Sequence, residues 1–176
     1  MDFNKITPGK NPPSEINVII EIIQGSSVKY EFDEDSGALK VDRFLYSSIV
    51  FPFNYGFIPH TLSDDGDSLD VILVSSLPIV PGAVVASRPI GMLEMEDEAG
   101  MDHKIIALPA EEIDPVFSHI KDILDLSEHM RERIRHFFER YKELEPGKWV
   151  KTKEFLSKDF AEKEINNSLK ATEKSK

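Results

Sequence analysis

Four aspartates, Asp64, Asp65, Asp67 and Asp70, fall within seven residues, and the apolar run 71–74 starts immediately after them. Like charges packed this tightly destabilise a compact chain unless positive charge sits among them. The run that follows reads as a strand covered on both faces. The fold must therefore carry an acidic loop at the mouth of a buried sheet. Asp65, Asp67 and Asp70 suit a hard, oxygen-seeking cation such as Mg²⁺, although their spacing alone fits a solvated acidic turn equally well. A calcium loop of the helix–loop–helix type is disfavoured. With Asp65 in its first position, the required glycine falls at Asp70, and no helical pattern precedes it.

Around this loop the pattern is strand first and helix last. Segment 16–23 is β-branched and apolar around Glu21, and 28–32 alternates, with Val28, Tyr30 and Phe32 facing one way and Lys29 and Glu31 the other. Asp35-Ser36-Gly37 signals a turn into a returning strand over 38–43. Segments 83–93 and 101–108 are two more strand candidates, joined by an acidic hairpin loop over 94–100. Beyond them Asp125 and Glu128 have capping-box spacing. Leu126, Met130, Ile134, Phe137, Phe138, Tyr141 and Leu144 then recur with helical period until Pro146-Gly147. Phe160, Ile165 and Leu169 suggest a second helix, followed by a polar tail over about 170–176. No repeat or linker interrupts the chain. The expectation is one α+β domain over 1–176, a small antiparallel barrel flanked by C-terminal helices.

Charge narrows the function. The 176 residues carry a net charge of −11, which repels nucleic acid and anionic membrane surfaces. An anionic metabolite would be repelled too unless cations intervene. There is no cysteine, so disulfides and thiolate metal sites are excluded. Segment 1–10 lacks the apolar core of a signal peptide, and the most apolar stretch, 71–86, carries two serines and two prolines, a poor membrane span. A cytoplasmic protein that binds neither nucleic acid nor membrane is expected.

A second set of polar residues adds to the aspartate loop. Asp97, Glu98 and Asp102 lie in and after the later hairpin, and Asp102 and Lys104 share a strand face, as do Lys29 and Glu31. Taken singly, each pair reads as a surface ion pair of little energetic weight. Tyr141 reads as a core tyrosine with a wet hydroxyl, and Lys142 as an exposed lysine.

Together these residues carry a resemblance. Lys29-Tyr30-Glu31, Gly37-Ala38-Leu39, Val41-Asp42-Arg43, Asn54-Tyr55-Gly56, Asp65-Gly66-Asp67-Ser68-Leu69-Asp70, Asp97-Glu98-Ala99-Gly100, Asp102 with Lys104, His119-Ile120-Lys121-Asp122 and Tyr141-Lys142 follow one another in this order. In that order they resemble the soluble family I inorganic pyrophosphatases in their short bacterial form, from about Pro8 to beyond Trp149. Two positions depart from the family pattern. Ser68 stands where Pro or Glu is usual, which alters loop stiffness, and Phe51 stands where tyrosine is frequent, which removes a hydroxyl near the substrate.

The resemblance implies a mainly β fold, a distorted five-stranded barrel of the oligonucleotide-binding type with helices packed outside, and a homohexamer built as a dimer of trimers. It implies pyrophosphate as substrate and Mg²⁺ as cofactor, with a metal-bridged hydroxide as nucleophile. Asp65, Asp70 and Asp102 then hold the first ion and Asp70 bridges to the second, while Asp97 and Glu31 help hold ions that arrive with the substrate. Asp67 is the implied general base. Lys29, Arg43, Tyr55, Lys104, Tyr141 and Lys142 contact phosphate oxygens, with Lys29 and Arg43 on the leaving phosphate, and Glu21 and Glu98 stand behind these groups. His136 is placed by the same likeness at a subunit contact, while the residue alone reads equally well as a partly buried surface histidine, and Trp149 is read as packing.

Charge supports this independently of the likeness. Glu21, Glu31, Asp65, Asp67, Asp70, Asp97 and Asp102 outnumber Lys29, Arg43, Lys104 and Lys142 by three. Pyrophosphate adds roughly three to four negative charges, which about three to four Mg²⁺ ions would bring close to neutrality. An acidic site for an anionic substrate makes sense only with metal. The alternatives are a related metal-dependent phosphohydrolase acting on nucleotides or polyphosphate, and a non-enzymatic binding barrel, which would need a basic, aromatic-lined groove.

Overall fold

The computed structural model describes residues 5–33, 36–63 and 66–174. Its centre is strand β1 (Ile16–Ile22), buried at six of its seven residues. Such complete burial follows from pairing on both edges. β1 runs antiparallel to β4 (Asn54–Phe57) on one side and to the start of β6 (Val84–Asp97) on the other. β4 pairs with β5 (Asp70–Leu73), β5 pairs in parallel with β7 (Gly100–Pro109), and β7 returns to β6. The order β1–β4–β5–β7–β6–β1 closes a ring of five strands, which removes free sheet edges. A sixth strand, β8 (Val150–Ser157), adds to the far half of β6.

The apolar run over 71–74 is covered on both faces, as its composition predicts. Val71 and Leu73 join a cluster with Ile16, Val18, Ile20 and Ile105, and the residues between them, Ile72 and Val74, join another with Phe51, Tyr55, Ile106 and Phe137. Each cluster is sealed by one helix. α2 (Lys158–Lys174) seals the first with Ala161 and Ile165, and α1 (Glu128–Arg140) seals the second with Ile134, Phe137 and Phe138.

β2 (Val28–Asp33) and β3 (Ala38–Phe44) form a separate two-stranded sheet that is not hydrogen-bonded into the ring. Its moorings are few. Phe32 stacks on Phe57 at 6.1 Å, the Phe32 N–H donates to the Glu21 carboxylate at 2.7 Å, and Tyr30 packs against the second cluster. At its base Leu45 N–H donates to Ser27 O at 2.8 Å and Phe51 N–H to Ser26 O at 2.9 Å. Asp35 of the expected turn lies outside the described residues.

Several expectations are corrected. β4 and β8 are strands that periodicity does not signal: β4 has four residues, and β8, VKTKEFLS, has Lys151, Lys153 and Glu154 among its eight. The acidic hairpin is tighter than expected, because β6 continues to Asp97 and β7 starts at Gly100. α1 begins at Glu128 with Ser127 as its cap, its side chain accepting from Met130 N, while Asp125 caps the preceding 3₁₀ turn with Asp122. α1 also ends at Arg140, so Leu144 is exposed. The buried stripe of α2 runs through Ala161, Ile165 and Leu169, four residues apart, and leaves Phe160 exposed. Trp149 is 46% exposed, so packing covers only about half of it.

The Asn54-Tyr55-Gly56 motif acquires a physical reading. Asn54 is fully buried: its Oδ1 accepts from Gln24 N at 3.1 Å and Ile79 N at 2.9 Å, and its Nδ2 donates to Ser75 Oγ at 2.8 Å and Leu77 O at 3.4 Å. One side chain thus ties two loops to β4. Gly56 lets β4 lie against β1, since a Cβ there would stand 1.9 Å from Ile19 O. Between them Tyr55 is held in one place. Asn54→Ala strands the Gln24 and Ile79 amides, each worth ~1–3 kcal/mol when left unmade. Urea unfolding of this variant is expected to show a loss of about 2–5 kcal/mol, and a loss below ~1 kcal/mol would contradict this account.

Candidate active site

Ion-paired groups gather at one end of the ring and beneath the β2–β3 hairpin. The parallel register pairs Val71 with Ile105, which brings Asp70 beside Lys104. The Lys104 ammonium is hydrogen-bonded to Asp70 Oδ2 and lies 2.7 Å from Asp102 Oδ2. It also sits 5.9 Å from the centre of the Tyr55 ring. Next to it, at the end of β6, Asp97 Oδ1 accepts Ala99 N–H at 2.8 Å, which fixes the tight turn, and Oδ2 accepts Lys142 Nζ at 2.7 Å. Glu98 stands 3.7 Å from the same ammonium and is bonded to Lys148. On the hairpin, Lys29 is bonded to Glu31 and lies 3.3 Å from Asp42 Oδ2. Arg43 donates to Asp42, and its Nε–H donates to Glu145 at 3.1 Å.

Two tyrosines connect these groups. Burial raises the Tyr55 hydroxyl well above its usual pKa, Asp70 and Asp102 push it further, and Lys104 opposes them. Burial also raises Tyr141, which feels Lys142, Lys104, Asp102 and Lys29, and its charge in turn acts on Arg43. Tyr141 follows α1, stacks on Phe137 at 5.2 Å and is therefore both core and site. Burial pulls the Lys104 ammonium down, but Asp70, Tyr55 and Asp102 more than reverse this and hold it well above its usual value. Lys142 behaves alike: burial lowers it, while Tyr141, Asp97 and Glu98 carry it above. Asp97 is disfavoured as an anion by burial, yet the Lys142 and Ala99 hydrogen bonds lower its pKa overall.

Beside these groups lies a cleft of about 680 Å³. Glu21, Lys29, Glu31, Tyr55, Asp67 and Asp70 line it. Asp67 is exposed, on a loop closed by Ser63 N–H to Asp67 O at 2.8 Å and turned at Gly66, whose φ is +94°. Thr61 fixes the loop's entry, donating to Ile58 O at 2.6 Å and accepting from Leu69 N at 2.8 Å. Glu21 projects from β1 into the cleft floor. Burial holds its carboxyl up to about 8, the Phe32 N–H pulls it down, and Asp70 pushes it up.

All the sequence-predicted site residues but one are thus placed in this region, directly in the cleft or through the Lys104 and Tyr141 connections. Asp65 lies outside the described residues. Among the described residues no three carboxylate or imidazole groups stand close enough to hold an ion by themselves. Asp70 and Asp102 nevertheless meet on one ammonium, so their carboxylates already share a cation, and every donor is oxygen, as Mg²⁺ prefers. The residues fit a divalent ion. Asp42 and Glu145 were not singled out from the sequence. Asp42 sits beside Arg43 in a motif that was noted, but nothing in the pattern of Glu145 announces a contact across 102 residues. Phe51 is buried in the aromatic cluster, 5.6 Å from Tyr55 and 4.6 Å from Phe137.

A family model described as inorganic pyrophosphatase matches residues 18–173. The chain belongs to the inorganic pyrophosphatase family. A relative from Aquifex pyrophilus, an inorganic pyrophosphatase, is 55% identical over 169 residues, 96% of each chain. The inorganic pyrophosphatase structure from Helicobacter pylori superposes with a TM-score of 0.90 at 51% identity, covering 91% of this chain and 94% of that one. The one from Thermus thermophilus gives 0.94 at 41%, covering 98% and 99%. The mainly β architecture expected of the family, five strands closed on themselves with helices outside, is the one observed.

Glu21 gives this family site a distinct pH signature. Its folded pKa, about 8, stands above the ordinary 4.5, so the folded chain holds a proton that the unfolded chain has lost. This contribution to stability is fully present below pH ~4.5 and is lost as pH rises towards ~8, by about 3–5 kcal/mol at most. With metal removed by chelator, urea unfolding of the native chain should show this decline, and Glu21→Gln, which still accepts from Phe32 N, should flatten it. Equal pH slopes in the two proteins would remove Glu21 as the source.

Proposed function

We propose that this chain hydrolyses inorganic pyrophosphate to two orthophosphates, with divalent ions, Mg²⁺ above all, as cofactor. Beside family membership, one geometric observation carries the reading. Lys29, Arg43, Lys104 and Lys142 come from separate strands and a turn, and each is paired with at least one carboxylate. Phosphoryl transfer asks little covalent chemistry of a protein and much positioning and charge compensation. Preformed cations at fixed places meet that demand.

Asp65, Asp70 and Asp102 would hold the first ion, Asp70 would be shared with a second, and Asp97 and Glu31 would take part in holding ions that enter with the substrate, about three to four in all. When bound, these ions neutralise the excess carboxylate charge and make water acidic enough to attack near neutral pH. Lys104, Lys142, Tyr55 and Tyr141 bind phosphate oxygens. Their present carboxylate partners hold the ammonium groups where those oxygens arrive. Lys29 and Arg43 bind the leaving phosphate, on which charge builds as the bridging P–O bond breaks. Asp67, exposed at the cleft, takes the proton from the attacking water. Glu21 and Glu98 keep Asp70 and Lys142 in place from behind. The same reading carries the expectation of a homohexamer, a dimer of trimers, and of a cytoplasmic location. Among the described residues no helix is long and apolar enough to cross a membrane.

Phosphate release from pyrophosphate with Mg²⁺, set against ATP and tripolyphosphate, tests the reaction. Strong preference for pyrophosphate is expected, and faster release from either of the others would favour the nucleotide or polyphosphate alternative. Asp67→Asn should retain the fold and lower kcat roughly 10²–10⁴-fold, the range for a lost general base. Turnover close to the native rate in that variant would remove Asp67 from the role.

A further inference from the structure

The β2–β3 hairpin bears Lys29, Glu31, Asp42 and Arg43, yet it stands apart from the ring and shares no backbone ladder with it. Something must set the position of its cationic side chains over the cleft. Glu21 and Phe57 moor the middle of β2 through Phe32. β3 is mostly exposed: Val41 and Phe44, on either side of Asp42 and Arg43, are 55% and 67% exposed and give Arg43 little to lean on.

Among the described residues, the one ion pair that joins β3 to anything outside the hairpin is Arg43 Nε to Glu145 Oε1 at 3.1 Å. The Glu145 side chain is 9% exposed, well covered for a carboxylate in a turn. Its backbone is fixed from both sides, with Glu145 N–H donating to Lys142 O at 2.9 Å and Lys148 N–H to Glu145 O at 3.2 Å. Pro146 further restricts it away from helical backbone. Lys142, three residues earlier in the same turn, pairs with Asp97 at the end of β6.

Geometry then decides what the contact does. A guanidinium has five N–H donors in a rigid plane. Glu145 takes the Nε–H and Asp42 one at Nη1, which leaves three on the outer edge for the oxygens of a phosphate. A carboxylate on Nε fixes the plane of the fork, and a bidentate grip on phosphate requires that plane to be set. We propose that Glu145 is a positioning residue. It holds the Arg43 guanidinium from behind, ties the hairpin to the turn that carries Tyr141 and Lys142, and so sets the distance between the two cationic walls that grip the polyanion. The proposal deepens the pyrophosphate reading and rests on it.

The test is a double-mutant cycle on pyrophosphate hydrolysis with Mg²⁺, using Glu145→Ala, Arg43→Ala and the double variant. Glu145→Ala should lower kcat/KM on the order of 10–100-fold, the scale of an ångström misplacement. Glu145→Gln, whose Oε1 still accepts from Nε–H, should recover most of that loss. On the Arg43→Ala background, Glu145→Ala should cost less than about threefold more, because its effect passes through the missing guanidinium. Thermal unfolding accompanies each variant and separates misfolding from misplacement. Native-like activity of Glu145→Ala, or a full 10–100-fold loss repeated without Arg43, overturns the proposal. If the native chain itself fails to hydrolyse pyrophosphate, the functional reading fails instead, and the two failures cannot be confused.

Discussion

The site is built around a buried ammonium. Lys104 is 5% exposed, and an unpaired charge taken so far out of water costs several kcal/mol. It is tolerated because two carboxylates from neighbouring strands meet it, Asp70 from the start of β5 and Asp102 from its own β7. That meeting needs β5 and β7 side by side in parallel, the one parallel pairing in the ring. Strand order, register and the acidic loop are therefore linked. A slip of one residue between β5 and β7 would turn Asp70 to the other face and leave the ammonium with half its compensation.

The molecule divides its work between a floor held by packing and walls held largely by polar contacts. The ring is covered on both faces, and its apolar layers fix the strands that carry Glu21, Tyr55, Asp70, Asp102 and Lys104. The hairpin and the turn after α1 carry Lys29, Arg43, Tyr141 and Lys142 from outside the ring. Polar contacts replace packing there: the Glu21 carboxylate holds Phe32, Asp97 holds Lys142, and Glu145 holds Arg43. Such contacts are directional and set geometry better than apolar burial does, although each contributes little net stability.

Much of this was legible in the sequence because the physics is local. The run 71–74 reads as a covered strand and proves to be one. The spacing of Asp102 and Lys104 places them on one face, and they form a pair at 2.7 Å. Asp67 and Asp70 of the acidic run line the cleft. The misses arise where the determining partner is distant. β8 carries Lys151, Lys153 and Glu154 among its eight residues and pairs along the far half of β6, which extends far enough to receive it. α1 stops at Arg140 although the apolar period continues to Leu144, because Tyr141 is drawn to the core and the site and the chain turns there. Asn54 reads as one residue of a motif, whereas its four hydrogen bonds to two separate loops appear only in three dimensions.

The charge balance gives the last step. At −11 the whole chain repels a polyanion, but that field is screened within about 8 Å at physiological salt. Inside this range the proposed substrate would meet Lys29, Arg43, Lys104 and Lys142, which the surrounding carboxylates hold charged and in place. An exchange of partners is then close to neutral in desolvation, because each cation trades one set of anionic oxygens for another. The displaced carboxylates would be left as close, like charges, an arrangement stable only with divalent ions among them. On the proposed reading, the substrate and the ions that enter with it would be bound together: the anion would free the carboxylates that those ions require, and the ions would remove the repulsion that the anion creates.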